Sequence, residues 1–229
     1  MNQSSNHRSK GPVRRRRQVA LALALGCMLG ASAQATAQTV TPPATPDKIT
    51  PPQGNSAFAV GHARGTQGYT CLPTAVGATT ASWTVNAARP EATLFQSFYG
   101  RPFQIITHFL SPNTNPNKLA PDPLPFGNVT WQSSLDSSKV WAQLANSIPA
   151  GSDPSCPNGG SISCVLLQAI GSQHGPSGGT ALAKTTYIQR LNTEGGSAPA
   201  DGCTVSGDVN KQALVPYTAD YYFYTTGPK

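Results

Sequence analysis

Tyr187-Ile188-Gln189-Arg190-Leu191-Asn192-Thr193-Glu194-Gly195-Gly196, then Ala198-Pro199 and Cys203, then Val215-Pro216-Tyr217-Thr218-Ala219-Asp220-Tyr221-Tyr222-Phe223-Tyr224, is the stretch whose reading decides the fold. Two runs of aromatic and β-branched residues flank a Gly/Pro/Asp-rich connection, which is the pattern of two strands and a turn-rich loop. Strands are expected over 187–191 and 221–225. Five of the chain's seven tyrosines lie here, so the stretch is expected to supply much of the core.

The same pattern continues upstream. Residues 57–71 read as two short strands or one bent one, interrupted by Gly61, Gly65 and Gly68. Ser82-Trp83-Thr84-Val85 is an expected strand, and Arg89-Pro90-Glu91-Ala92 an expected turn. Across 103–110, Ile105, Thr107 and Phe109 alternate against Ile106, His108 and Leu110, a clear strand. Residues 111–127 form a Pro/Asn-rich loop, long for a compact domain. Residues 128–132 and 139–144 pair as a hairpin through Leu135-Asp136-Ser137-Ser138. Cys164-Val165-Leu166-Leu167-Gln168-Ala169-Ile170 is a continuous apolar run, a buried strand or a short buried helix. No stretch carries a long helical period with caps. Many short strands between Gly/Pro/Asn turns give an all-β class: an antiparallel β-sandwich or barrel-like single domain with long loops, over residues 55–229.

The N-terminal part is different in kind. Lys10 and Arg14, Arg15, Arg16 and Arg17 form a positive segment, residues 19–30 a short apolar one, and Ala35-Thr36-Ala37 a small-residue cleavage pattern. Residues 1–37 are therefore expected to be a cleaved signal peptide, placing the protein in the periplasm or outside the cell. Residues 38–54 carry Pro42, Pro43, Pro46, Pro51 and Pro52 and are expected to be an extended arm or linker. Of the sixteen Lys and Arg, six precede Gln38, whereas all nine Asp and Glu follow it. The exported chain is then near neutral, with no basic cluster of the kind nucleic acid requires. It also has no second apolar run long enough to span a membrane.

Cys27 would leave with the signal, and Cys71, Cys156, Cys164 and Cys203 remain. An even count in an exported chain suggests two disulfides, and four cysteines allow three connectivities. The expected arrangement is a local Cys156–Cys164 clip around Pro157-Asn158-Gly159-Gly160, with Cys71–Cys203 as a long-range staple. The spacings do not match paired C-x-x-C zinc knuckles, so no metal is expected. No dinucleotide or Walker pattern is present, so no cofactor is expected either.

The candidate ligand-binding residues are His108, Trp131, Asp136, Tyr217 and Asp220, an aromatic, imidazole and carboxylate set of the kind that lines a pocket. The bland reading of each is a core aromatic, a turn carboxylate or a backbone partner. Gly175-Pro176-Ser177-Gly178-Gly179 matches G-x-S-x-G. It lacks the strand before it, the helix after it and a later histidine, so it is expected to be a loop and not a nucleophile elbow.

These residues resemble the exported proteins of domain-of-unknown-function family 3455, through most of the chain from about Pro52 to Tyr224. The resemblance is carried by Gly65-Thr66-Gln67-Gly68-Tyr69-Thr70-Cys71, by Trp131 with Asp136-Ser137-Ser138-Lys139-Val140, and by the block quoted first. It implies export and a Cys71–Cys203 pairing, and it assigns no catalytic residue. The expected function is a non-catalytic envelope or extracellular module that binds a small molecule, glycan or partner protein. The alternative is a secreted hydrolase using His108 and Asp136.

Overall fold

Eight antiparallel strands close into a barrel in which each strand pairs with its neighbours in chain order and the last returns to the first. This is a computed structural model that describes residues 40–111 and 128–227, without the side chains of 86–90 and 128. The expected signal peptide and nearly all of the Pro/Asn-rich loop lie outside the described residues. The strands are β1 (Asn55–Pro73), β2 (Ala81–Phe98), β3 (Arg101–Ser111), β4 (Asn128–Ser133), β5 (Lys139–Ile148), β6 (Cys164–Gln173), β7 (Tyr187–Gly195) and β8 (Gln212–Thr226). Closure leaves no open sheet edge to solvent or to another chain. Among the described residues no helix is long and apolar enough to cross a membrane.

Residues 57–71 are one long strand, and 164–170 is a strand rather than a helix. The expected turn at Arg89-Pro90-Glu91-Ala92 is not one: β2 runs straight through it. Proline is tolerated there because the ladder is broken beside it. The pairing passes from Gln67↔Pro90 to Tyr69↔Val85, so Gly68 faces four residues of β2, a wide bulge that needs no regular donor from that stretch.

Register fixes what fills the barrel. Gly65, Ala92, His108, Trp131 and Val140 are successive cross-strand partners around one ring, and Ala63, Leu94 and Ile106 around the next. On β8 the inward residues are Tyr217, Ala219, Tyr221 and Phe223, set opposite Gly65, Ala63, Gly61 and Ala59 of β1. Large side chains on β8 thus meet small ones on β1. The fit is close: a Cβ on Gly65 would lie 2.1 Å from the Glu91 carbonyl oxygen and 2.6 Å from the Ala92 Cβ.

The outer wall is also apolar along β6, β7 and β8. Leu166, Leu191, Tyr222 and Tyr224 point outward, yet all are buried, with Ile49, Ile148 and the two half-cystines Cys156 and Cys164. The covering segment is the proline-rich arm, which makes one 3-10 turn at Asp47–Ile49. Gln189 fastens it: its Nε2 donates to the Ile49 carbonyl at 2.7 Å while its Oε1 accepts from the Tyr224 hydroxyl at 2.6 Å. A second amide contact reaches Thr45 Oγ1 at 3.3 Å. A buried glutamine with both ends of its amide bonded is a stable anchor.

Cys71 is bonded to Cys203 across a sequence separation of 132, and Cys156 to Cys164 across 8. By loop-closure entropy the first restricts the unfolded chain by about 5 kcal/mol and the second by roughly half that. Replacing Cys71 and Cys203 with serine is expected to lower the urea-unfolding free energy by about 3–5 kcal/mol, and replacing Cys156 and Cys164 by about 2 kcal/mol. The reverse order would show that the short clip stabilises the native state by more than loop closure. Gly65→Ala is expected to cost about 1–3 kcal/mol in the same assay, and an unchanged midpoint would mean that β1 and β2 can separate without loss.

Candidate functional site

A cavity of about 340 Å³ lies at the barrel end where β1, β3, β5 and β7 finish and β2, β4, β6 and β8 begin. Its aromatic wall is His108, Trp131, Tyr217 and Tyr221; its aliphatic wall is Val129, Val165 and Leu167. Arg190, Gln67 and Thr66 add polar groups. The cavity reaches the surface at Val85 and Leu144, which are 58% and 61% exposed and give it an apolar rim. The β1–β2 hairpin beside the rim is tied to residues 196–211 by the Cys71–Cys203 disulfide. Two hydrogen bonds reinforce that tie, Tyr69 Oη to Gly196 O and Trp83 Nε1 to Gly202 O, each 2.7 Å.

His108 and Trp131 are direct cross-strand partners on the inner face, so their rings stack, 4.1 Å between centroids and 9° from parallel. Tyr221 is tilted against both, at 5.8 and 6.1 Å. His108 Nδ1 lies 2.9 Å from the Thr130 carbonyl, which accepts its proton, so in the neutral ring Nε2 is the acceptor. Burial is the main force on this imidazole and pushes its pKa down; the Thr130 carbonyl opposes that, the Arg190 charge adds to it, and the result is about 4. The Tyr217 and Tyr221 hydroxyls are 2.9 Å apart. Burial, with Tyr221 beside it, holds the Tyr217 phenol far above its ordinary range, so it stays protonated. The Arg190 guanidinium sits 5.9 Å from the Tyr217 ring centroid, and its Nη2 donates to the Ser163 carbonyl at 2.8 Å. Four buried side-chain donors among the described residues have no partner; two of them, Trp131 Nε1 and Arg190 Nε, belong to residues lining this cavity.

Of the five residues singled out from the sequence, the fold brings His108, Trp131 and Tyr217 together in the cavity. Asp136 lies in the β4–β5 turn, at the other end of the barrel. Its Oδ1 accepts from Ser138 Oγ at 2.7 Å and from Ser138 N at 3.1 Å, and its Oδ2 accepts from Ala181 N at 2.8 Å. Burial tends to raise this carboxyl's pKa, but the Ala181 and Ser138 donors outweigh it and hold it at about 2. Ser138 Oγ in turn accepts from Leu182 N, seating the buried Leu182 in the barrel core. Asp136 therefore fixes residues 174–186 across the barrel end. The G-x-S-x-G pattern is part of that contact. A Cβ on Gly175 would lie 1.8 Å from the Asp136 carbonyl oxygen, and one on Gly179 2.5 Å from the Asp136 Cβ, so these glycines let the loop press against the turn.

Asp220 is on the outer wall. Its Oδ1 lies 2.6 Å from His62 Nδ1, and its Oδ2 accepts from Asn192 Nδ2 at 2.8 Å, with Asn192 at φ 49° on the β7 irregularity. His108 thus has neither Asp136 nor Asp220 as an orienting carboxylate. Among the described residues no three His, Cys, Asp or Glu side chains come together as a metal site. Arg190 and Tyr221 are site residues that sequence reasoning missed. The signal for Arg190 was its alternation with Ile188, which puts a charge on a core-facing position of β7.

Among the described residues four groups have lowered pKa values, and two of them, His108 and Asp136, are candidate residues; the others are Asp153 and Asp208. The unfolded chain takes up a proton at His108 below about pH 6.5 and the folded chain only near 4, so stability is complete above 6.5 and falls as pH drops through that window. The loss is on the order of 3 kcal/mol. Asp136 adds a lower limb, its contribution present above about 3.8 and lost as pH falls through 2. Thermal unfolding against pH is expected to show both limbs, with His108→Phe flattening the upper and Asp136→Asn reducing the lower, which Asp153 and Asp208 share. A His108→Phe curve parallel to wild type between pH 6.5 and 4 would refute this assignment.

No curated protein and no solved structure matches this chain. The family described as "Protein of unknown function (DUF3455)" matches residues 52–225, which takes in all eight strands of the barrel but for Thr226, the last residue of β8. The chain belongs to that family.

Proposed function

We propose that this protein is an exported, non-catalytic module that binds a small, largely apolar molecule in the cavity at the end of its barrel. One observation carries the reading: a cavity with aromatic and aliphatic walls is lined by two residues, Trp131 and Arg190, whose Nε1 and Nε hydrogens are buried and accepted by no described residue. A buried donor without an acceptor costs about 1–3 kcal/mol, a cost that a ligand oxygen would remove once the wall shifts to let it reach the donor. The volume is at the small end of the range for ligand pockets, roughly 300–1,000 Å³. Export is supported by the basic, apolar and small-residue sequence of residues 1–37, and by two disulfides of a kind that persist in oxidising compartments.

A hydrolase reading finds less support. His108 is bonded through Nδ1 to a backbone carbonyl, and Asp136 is spent on Ser138 and Ala181 at the far end of the barrel. The test is fluorescence titration with the neutral probe N-phenyl-1-naphthylamine. Saturable enhancement is expected, reduced at least tenfold in affinity by Leu167→Trp, which fills the cavity. Leu214→Trp, an exposed control that does not line it, should leave affinity unchanged. No enhancement, or enhancement indifferent to Leu167→Trp, would refute the cavity as the binding site.

A further inference from the structure

We infer that the molecule taken by this cavity is a small carboxylic acid, its carboxylate held at Arg190 and its apolar body against Trp131, Val165 and Leu167. The inference rests on the binding reading above and sharpens it. Among the described residues that line the cavity, Arg190 is the sole charged one. No carboxylate among the described residues forms an ion pair with it. The other titratable groups in the wall are phenols and one imidazole, so among the described residues the lining carries a single positive charge and no negative one.

The polar complement points the same way. The polar atoms left unpartnered on residues of the wall are both donors, Arg190 Nε and Trp131 Nε1. Their complement is a group that only accepts. A carboxylate has two oxygens in the plane that a guanidinium edge matches, and it accepts further bonds from a neighbouring N–H. An amine would bring a second positive charge and more donors. An alcohol would bring a donor of its own and leave the guanidinium charge uncompensated. The remaining wall is valine, leucine and aromatic carbon, and the rim at Val85 and Leu144 is apolar and exposed, so the body behind the carboxylate is hydrocarbon in character.

Isothermal titration of the purified, oxidised protein with sodium octanoate, 1-octanol and octylamine tests this. Octanoate is expected to bind at least tenfold more tightly than 1-octanol, and octylamine not to bind. Arg190→Gln should bring octanoate down to the octanol level without changing octanol. Arg190 also supports Ser163, so a second variant is needed that leaves the core alone. Leu144→Glu places a negative charge on the exposed rim and should weaken octanoate several-fold while sparing octanol. Equal affinity for octanoate and octanol, tighter binding of octylamine, or an octanoate-to-octanol ratio unmoved by both variants would overturn the carboxylate inference and leave the cavity reading standing. Failure of all three compounds to bind would overturn both.

Discussion

The barrel depends on a size complementarity between its first and last strands. β8 turns four residues inward, three of them aromatic, and a barrel of eight strands has an interior only wide enough for side chains to fill it. That interior has room for Tyr217, Tyr221 and Phe223 because β1 opposes them with Gly65, Gly61 and Ala59, and with Ala63 between. The glycines do more than leave space. Gly65 brings β1 and β2 so close that its Cβ position is already occupied by the Glu91 carbonyl. Closure, the inward setting of the tyrosines and the tight β1–β2 contact are therefore one constraint seen from three strands.

The cavity is a consequence of where that filling stops. Leu182 and the Asp136 turn close one end of the barrel, while Phe223, Ile188 and Leu94 fill the middle. Towards the other end the ring of His108, Trp131 and Tyr221 is the last packed layer. Beyond it the inward positions are held by valine, leucine, Gln67 and Arg190, which do not meet across the barrel. The stacked imidazole and indole make a rigid floor, since each ring is fixed by its strand register and by the other. Neutral His108 suits that role: a protonated ring would sit buried with Arg190 nearby, which is the cause of its lowered pKa.

The strands that alternate cleanly were legible in the sequence because one of their faces is wet. The hairpin of β4 and β5 was legible from its turn, Asp136-Ser137-Ser138, even though Thr130 and Trp141 on its outer face are as buried as Trp131 and Val140 on its inner one. β7 was harder to face. Ile188 and Arg190 point inward, but Gln189 and Leu191 on the other side are equally buried because the arm covers them, so alternation of polarity is lost. The turn expected at Pro90 failed for a related reason: local punctuation was overridden by a bulge that only the long partner strand explains. For the site, His108 and Trp131 become neighbours through a register that no local pattern encodes. Trp131 and Asp136 are five residues apart in the sequence, yet a strand advances about 3.3 Å per residue and β4 leads directly away from the cavity. Asp220 was separable in principle, since it alternates with Ala219 and Tyr221 and so faces outward once they face in.

Arg190 decides whether the cavity is more than a packing remainder. As a structural tie it joins β7 to the Ser163 carbonyl through one N–H. That bond is neutral-acceptor in kind and would be served by a shorter, uncharged donor at less desolvation cost. A guanidinium on the inner face of a barrel also has to be taken out of water, and such charges are ordinarily paired or bonded on every donor. Here the aromatic face of Tyr217 offsets part of that cost, while Nε is left over. Among the inward residues named above this is the one that carries a formal charge. A residue that is expensive to bury, has an unused donor and shares a concave wall with a second residue of that kind is better explained by something it meets than by the barrel it helps to build.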